Sequence, residues 1–450
     1  MTFNNAQIAC HRFGLGARPD EIMLATQMGG QLFLQSQLAH YQVQPEPIAS
    51  LPTSAELMAE AATIKLSLRQ TTNKNAKQNI NKTARKQAQA VYLQAIDIRH
   101  KLAISSQQSF NERLVYFWQN HFAVSAQKQS VRFLAASFEN EAIRQNVMGR
   151  FADMLIASTQ HPAMQLYLDN FRSIGPDSKL GKKQNKGLNE NLAREILELH
   201  TLGVQGGYEQ KDVIAFANML TGWGVDYQTV RGFRFNKNAH QGQPAEFLGK
   251  NYSQKGMRQA LAGLNHLAVH ASTAKHIATK LAQHFAGTHN QQLTKSLVDE
   301  LETSFNHTQG QLKPLYEILI NHGACWQAAP LRFRTPYEWI IALLRAAGNV
   351  KIPANAMLNL LKNMGQQTYF VSSPAGWPDE DNYWNSPAAM IQKWQNSKRF
   401  SQIVNKNVTQ YVQNILGENI DQHTLLAMQK AGKKNTQLTM LFLSEQLQFR

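Results

Sequence analysis

The stretch Gly187-Leu-Asn-Glu-Asn-Leu-Ala-Arg-Glu-Ile-Leu-Glu-Leu-His-Thr-Leu-Gly-Val204 decides how this chain is read. Asn189 is a good helix N-cap, and Glu190 would fall in the positive first turn, so the block predicts a helix over 189–202. At 100° per residue, Glu190, Asn191, Arg194, Glu195 and Glu198 share one arc. Leu192, Ala193, Ile196, Leu197 and Leu199 share the other, with His200 among them. Glu198 and His200 therefore point nearly opposite ways, and this helix alone cannot bring them to one metal. Two readings of the polar arc stay open. It is either an i,i+4 ion-pair ladder on a solvated face or the wall of an interior polar site. In the second case Arg194 holds an anionic group or orients a carboxylate, and Glu195 or Glu198 works as general acid or base.

Outward from this block, apolar residues recur at spacings of three and four. The pattern predicts helices over 21–38, 55–104, 109–122, 130–146, 151–158, 162–168, 210–220 and 273–285. Further helices are expected over 294–305, 314–321, 336–347, 354–363 and 387–395, and again before the end. Within 55–104, the Asn-, Gln- and Lys-rich stretch 70–89 predicts a connection between two long helices. Strand-like patterns at 232–236 and 245–249 predict a hairpin across a turn at 238–243. The expectation is an all-α fold, a large multi-helix array with at most one small β-hairpin near 232–249. Its expected divisions are N-terminal helices with a long basic arm (1–107), a central helical core carrying the quoted block (108–330), and C-terminal helices packed on it (331–450).

Composition agrees. Only 26 Gly and 14 Pro in 450 residues argue against a many-stranded β sandwich or barrel. Apolar content of 43% with 17% charged residues places the chain among globular proteins. The formal charge of +16 favours anionic partners: nucleic acid, acidic polysaccharide or an anionic membrane surface. Between Glu60 and Asp97 there is no acidic residue, but there are Lys65, Arg69, Lys74, Lys77, Lys82, Arg85 and Lys86. They form a solvated arm or a docking surface for a polyanion. A second basic group, Lys179, Lys182, Lys183 and Lys186, is expected in a loop opened by Gly175-Pro176. The first residues lack a basic stretch followed by an apolar one, and no window reaches the ~18 apolar residues of a membrane span. Cytoplasmic residence is the default expectation, with export by another route left open. Cys10 and Cys325 are expected as reduced, buried thiols.

Taken together, several motifs carry a resemblance. They are His11-Arg-Phe-Gly-Leu-Gly, Trp118-Gln-Asn-His-Phe, His161-Pro-Ala-Met-Gln-Leu-Tyr-Leu-Asp-Asn, the quoted block, Gly206-Gly-Tyr and Leu220-Thr-Gly-Trp. With His270-Ala-Ser-Thr-Ala, Gly365-Gln and Pro374-Ala-Gly-Trp-Pro, the chain closely resembles the bacterial family termed domain of unknown function 1800, from Cys10 nearly to the end. The resemblance implies a mostly helical bacterial protein, often encoded beside a sulfatase-like exported protein, and supplies no established reaction. This chain departs from the family pattern at Glu209 (usually Thr), Asn218 (usually Arg) and Gln241 (usually Asp).

Other residues admit a functional and a structural reading. His121 lies on the apolar stripe Leu114, Phe117, Trp118, His121 and reads as a satisfied core histidine or a ligand contact. His161 precedes Pro162, which suits the first helical position, and is expected at a helix start with an exposed ring. Asp169-Asn170 is a plain turn or a pair of ligand acceptors near Arg194. His276, Lys280 and His284 flank one helix as a solvated or anion-binding edge, and the lysine makes a metal site there poor. Trp377, with Tyr383, Trp384 and the acids at 379–381, either stacks sugar rings or pins a long loop. No GxSxG elbow, Walker A loop, HExxH or strand-borne GxGxxG occurs.

Two functions are therefore expected. The first is acid/base hydrolase or lyase chemistry on an anionic small molecule or polysaccharide, with Glu195, Glu198 and His161 catalytic. Asn189, Glu190, Arg194, His121, Asp169, Asn170 and Trp377 would bind the ligand, and no cofactor or metal is expected. The second is a non-catalytic accessory partner of a sulfatase-like protein. Nucleic-acid binding is disfavoured, since only net charge speaks for it.

Overall fold

The computed structural model describes residues 2–184, 187–227, 232–288, 290–329, 331–348, 350–404 and 406–450. Helices dominate, and capping residues set their bounds. α1 (Glu21–Met28) and α2 (Gly30–Ala39) replace the single helix expected over 21–38, because Gly29 takes φ 81° between them. α3 (Ser54–Gln70) begins at a Thr53–Glu56 capping box, and α4 (Lys74–Ser105) at Asn73, whose carboxamide accepts from the amides of Asn75 and Ala76. The expected connection at 70–89 is thus mostly helix. Its break spans 71–73, and the Asn73 cap restarts the chain at once.

Next come α5 (Ser109–His121), α6 (Phe151–Gln160), α7 (Pro162–Tyr167), α8 (Asn191–Glu195), α9 (Gln210–Leu220), α10 (Met257–Ala268) and α11 (Ala271–Ala286). After α12 (Gln291–His307) and α13 (Leu312–Asn321), α14 (Pro336–Ala347) is buried on every side, and α15 (Ala354–Asn363) and α16 (Pro387–Ile403) follow. Wider π turns occupy Ile8–Phe13, Glu139–Arg144 and Ile196–His200. The helix expected over 130–146 is broken into Gln129–Arg132, Ala135–Phe138 and the second of these turns. Lys179, Lys182 and Lys183 lie on a short helix, Lys179–Gln184, in place of the expected loop, and Lys186 falls outside the described residues.

Both strand signals are strands, but they do not pair with each other. β1 (Trp223–Val225) pairs antiparallel with β2 (Phe233–Phe235), and β3 (Ala245–Phe247) with β4 (Lys250–Tyr252). The expected single hairpin is corrected to two small ones. In each, the partner strand lies closer along the chain, and only three residue pairs are needed to register it.

Two apolar cores result. The larger gathers Phe13, Phe110, Trp118, Phe122, Phe151 and Phe285, while the smaller surrounds Trp339 on α14 with Phe400, Tyr411 and Phe442. Buried arginines staple segments far apart in sequence. Arg12 donates to the carbonyls of Cys325, Gln327 and Ala329. Arg345 donates to those of Gly16 and Ala103 and pairs with Glu21 at 2.9 Å. Cys10 and Cys325 are buried and free. Among the described residues no helix is long and apolar enough to cross a membrane.

The first motif owes its glycines to this packing. Gly16 has φ 108°, and a Cβ there would stand 2.6 Å from the Ala342 Cα on α14. Gly29 also has positive φ but faces open space. Gly16→Ala is expected to lower stability by about 3 kcal/mol or more, and Gly29→Ala by only about 1 kcal/mol, read from urea midpoints at unchanged slope.

Candidate functional site

α8 begins one residue later than expected. Glu190 is its N-cap, while the Asn189 carboxamide accepts from the Asn191 amide and donates to the Asp169 carbonyl at 3.2 Å. The chain then widens into the π turn Ile196–His200. Leu192, Ala193, Ile196, Leu197 and His200 are buried as the apolar arc predicts, while Leu199, expected with them, is half-buried. The polar arc is neither closed nor fully hydrated. Asn191 is exposed, and Glu190, Arg194, Glu195 and Glu198 are half-buried.

Arg194 Nη2 donates to Glu190 Oε2 at 3.0 Å and to Gln210 Oε1 at 2.9 Å, and Gln210 Nε2 donates to the same Glu190 oxygen at 2.8 Å. The ladder of the structural reading therefore exists at its first rung. Beyond it the face changes character. Glu195 has no hydrogen bond or ion pair among the described residues, and burial together with the neighbouring Glu198 raises its pKa against the pull of Arg194. The Tyr208 phenol faces Glu198, and burial together with that carboxylate pushes it up to about 12. Tyr167, at the end of α7, is also pushed up to about 12, by burial and by Glu195. Two carboxylates and two phenols thus meet on one half-open face.

The far end of the segment is built differently. Its last carbonyls have no intrahelical partner, and imidazoles supply the donors: His121 Nε2 to His200 O at 3.0 Å and His276 Nε2 to Leu199 O at 3.1 Å. A carbonyl only accepts, so each proton sits on Nε2. His121 Nδ1 is left as a bare lone pair without a partner among the described residues. Gly203, at φ 81°, makes room for the His276 ring, since a Cβ would stand 3.0 Å from its Nδ1. Burial, then Lys280 on α11, holds His121 and His276 below the ordinary imidazole range and brings His200 down to about 3.

His121 also lines a narrow cleft with Lys280, His284, Arg332, Glu338 and Trp377. Its volume is about 20 Å³, room for one water-sized guest. Of the edge expected from His276, Lys280 and His284, His284 is buried and the other two are half-buried. Trp377 is held here by Asn120, which donates to its carbonyl and accepts from its amide at 2.7 Å. Arg332 bonds the Asp379 carbonyl and pairs with Asp381 at 3.1 Å. These contacts favour the loop-pinning reading of 374–385.

Other expected site residues have structural partners. The His161 ring is buried, not exposed as expected. Its Nδ1 caps α7 by accepting from the Ala163 amide, and its Nε2 stands 3.3 Å from Glu141 Oε2. Burial would raise the Glu141 pKa, but the nearby His161 imidazole and the bonds from Ser54 outweigh it and lower it. Asp169 takes φ 56° and pairs with Lys128 at 2.7 Å. Asn170 is buried and donates to Gln165 Oε1 and to the carbonyls of Leu220 and Trp223. At the departing positions, Glu209 precedes α9 with its amide bonded to Asp212, and Gln241 bonds the Asp177 carboxylate at 2.8 Å. Among the described residues no group of three or more His, Cys, Asp and Glu is placed to hold a metal.

The motif content leads to one assignment. The family model described as "Protein of unknown function (DUF1800)" matches residues 8–447. The chain belongs to the DUF1800 family. No curated protein matches it, and no solved structure does. Within this DUF1800 chain, Tyr167, Tyr208 and Gln210 join the acid face although periodicity alone did not single them out. Tyr208 stands in a Gly-Gly-Tyr motif beside the block, a detectable signal. Glu338, Arg332 and Arg450 join the cleft from distant parts of the sequence.

A carboxyl whose pKa rises on folding weakens the fold once ionised, and that penalty is absent below the ordinary glutamate value of about 4.3. Glu195→Gln is therefore expected to melt above the wild type at about pH 7 and together with it at about pH 3.5. An offset equal at both pH values would remove the raised pKa from the account.

Proposed function

We propose that this DUF1800 protein is an acid/base catalyst, a hydrolase or lyase, acting on an anionic or glycan-like substrate at the half-open face of α8. The observation that carries the reading is the unpaired Glu195 carboxyl, raised by burial and by Glu198, with the Tyr208 phenol beside Glu198. Two acidic groups held in different environments divide the work of acid and base. Glu195 keeps its proton longer and donates it to a departing oxygen. Glu198 takes a proton, from water in hydrolysis or from carbon in elimination. Arg194, engaged only through Nη2 among the described residues, turns its remaining donors to an anionic substituent. Asn189 and Asp169 shape the helix start, and His161 serves as a cap.

Glu195→Gln and Glu198→Gln are each expected to cut turnover by about 10²-fold or more, with Glu198→Gln melting close to wild type at the assay pH and Glu195→Gln no lower. The assay is a panel of sulfated, phosphorylated and uronate-bearing oligosaccharides. No turnover of any member by the wild type, or variants that simply unfold, would remove the catalytic reading.

A second reading, a non-catalytic accessory partner of a sulfatase-like protein, is favoured by the arm. All seven basic side chains from Lys65 to Lys86 are exposed. Beside them runs a groove of about 400 Å³ between α3 and α4, lined by Leu57, Ala61, Ile64, Ala84, Ala88 and Val91. Reversing Lys82, Arg85 and Lys86 to Glu is expected to abolish co-purification with such a partner and to leave turnover intact. Association insensitive to salt would count against a charged dock.

A further inference from the structure

α4 carries two different faces. Ala84, Ala88 and Val91 turn toward α3 and line the apolar groove between the two helices. Gln78, Asn81, Lys82, Arg85, Lys86 and Gln89 recur at spacings of three and four and lie nearly opposite that face. They form one wall of a second hollow, about 830 Å³ in volume, which Ala90 and Leu93 continue along the helix. From Gln78 to Leu93 the stripe is about 22 Å long at the rise of an α-helix. Arg132, at the end of the one-turn helix Gln129–Arg132, lines the hollow from outside α4.

Lys82, Arg85, Lys86 and Arg132 all line this hollow, and no carboxylate does among the described residues. The three α4 cations are exposed and hydrated, so none of them alone selects a ligand. Arg132 is half-buried and held in place. Its Nε donates to the Ala126 carbonyl at 3.1 Å, and its guanidinium lies 5.3 Å from the centre of the Phe370 ring. A row of like charges along a rigid helix matches a ligand whose charges repeat along a chain, because every contact releases counter-ions and the contacts add. Gln78, Asn81 and Gln89 stand among the cations and offer both donors and acceptors to hydroxyl groups. No aromatic ring lines the hollow among the described residues, so nucleic-acid bases have nothing to stack on. Cations with amides and without rings favour a hydroxyl-rich anionic chain.

We propose that the α4 hollow is a binding site for an anionic polysaccharide, a sulfated or uronate chain. Lys82, Arg85, Lys86 and Arg132 meet its charges, and Gln78, Asn81 and Gln89 meet its hydroxyls. The hollow is joined to the acid face of α8 by direct contacts. The Arg132 amide donates to the Lys128 carbonyl at 3.1 Å, and Lys128 bonds the Tyr167 carbonyl at 3.3 Å and pairs with Asp169 at 2.7 Å. Tyr167 in turn feels the Glu195 charge. The proposal deepens the catalytic reading by making its substrate a polymer, and it rests on that reading for this point alone. Binding is measured without turnover, so the two fail separately.

The test is calorimetric titration of a heparin oligosaccharide, an oligogalacturonate and neutral dextran into the full chain over a range of salt concentrations. Saturable binding of heparin or oligogalacturonate is expected, with dextran silent. Heparin alone identifies sulfate esters as the partner groups, and oligogalacturonate alone identifies carboxylates. Lys82→Gln, Arg85→Gln and Lys86→Gln combined are expected to weaken binding by about tenfold or more, and to lower the slope of log affinity against log salt by about one per cation removed. Lys65→Gln, Arg69→Gln and Lys74→Gln combined remove the same charge outside the hollow, and are expected to weaken binding by less than about threefold. Bound heparin is expected to protect Lys82 and Lys86 of the wild type from acetylation more than Lys65 and Lys74, a readout that needs no variant. No saturable anionic polysaccharide, equal losses in the two triple variants, uniform protection, dextran bound as tightly, or an oligonucleotide of equal charge bound more tightly would each overturn the site. Turnover by Glu195→Gln or Glu198→Gln bears on the catalytic reading alone.

Discussion

Everything around the cleft depends on one carboxylate that carries two buried guanidiniums. Glu338 sits in the first turn of α14 and accepts from its own cap at Thr335. The same side chain pairs with Arg113 of α5 and with Arg450, which also donates to the His284 carbonyl on α11. Removing one partner from a buried pair costs about 3–5 kcal/mol, because the other charge is left unpaired in a poor solvent. Glu338 therefore ties the larger core to the smaller one, and it sets the separation between α5, α11 and α14 that leaves a cleft at all.

A second constraint acts through the π turn at Ile196–His200. Widening the helix there offers the carbonyls of Leu199 and His200 to two imidazoles, and those bonds fix both rings in one tautomer. A regular helix end would have left the same carbonyls to solvent or to a glycine cap. The turn thus joins the acid face to the histidines of the cleft through backbone atoms, with neither side sharing a side chain.

How much of this was legible depended on how local the cause was. α9, α14 and α15 match their expected bounds, because an apolar stripe between clear start and stop residues is a property of ten or so neighbouring residues. The arcs of α8 were readable for the same reason, since burial followed the 100° rule through Ile196 and Leu197. Gly29 and Asn73 broke or restarted helices through single residues that periodicity smooths over. The hairpins were misassigned because each strand has three residues, too few for a pattern to name its partner. His161 was placed at a helix start correctly, yet its ring turned inward because Glu141, twenty residues earlier, offered a carboxylate. No local feature announces Glu338 and Arg450 as a pair, since 112 positions separate them.

The two polar regions differ in sign, and the difference follows from where each can place its counter-charge. The acid face of α8 is half-open, so water screens Glu190, Arg194 and Glu198, and only Glu195 is left poorly served. Beside Glu338 the guanidiniums are buried, so they are neutralised from within. Carboxylates from α14 and from the pinned loop do this, while half-buried Lys280 shares its charge with solvent. A half-open acidic face tolerates a repelled carboxyl because solvent shares the cost, whereas the buried guanidiniums depend on the carboxylates placed beside them. The chain's overall excess of positive charge thus has two expressions, one solvated along α4 and one sequestered beside Glu338.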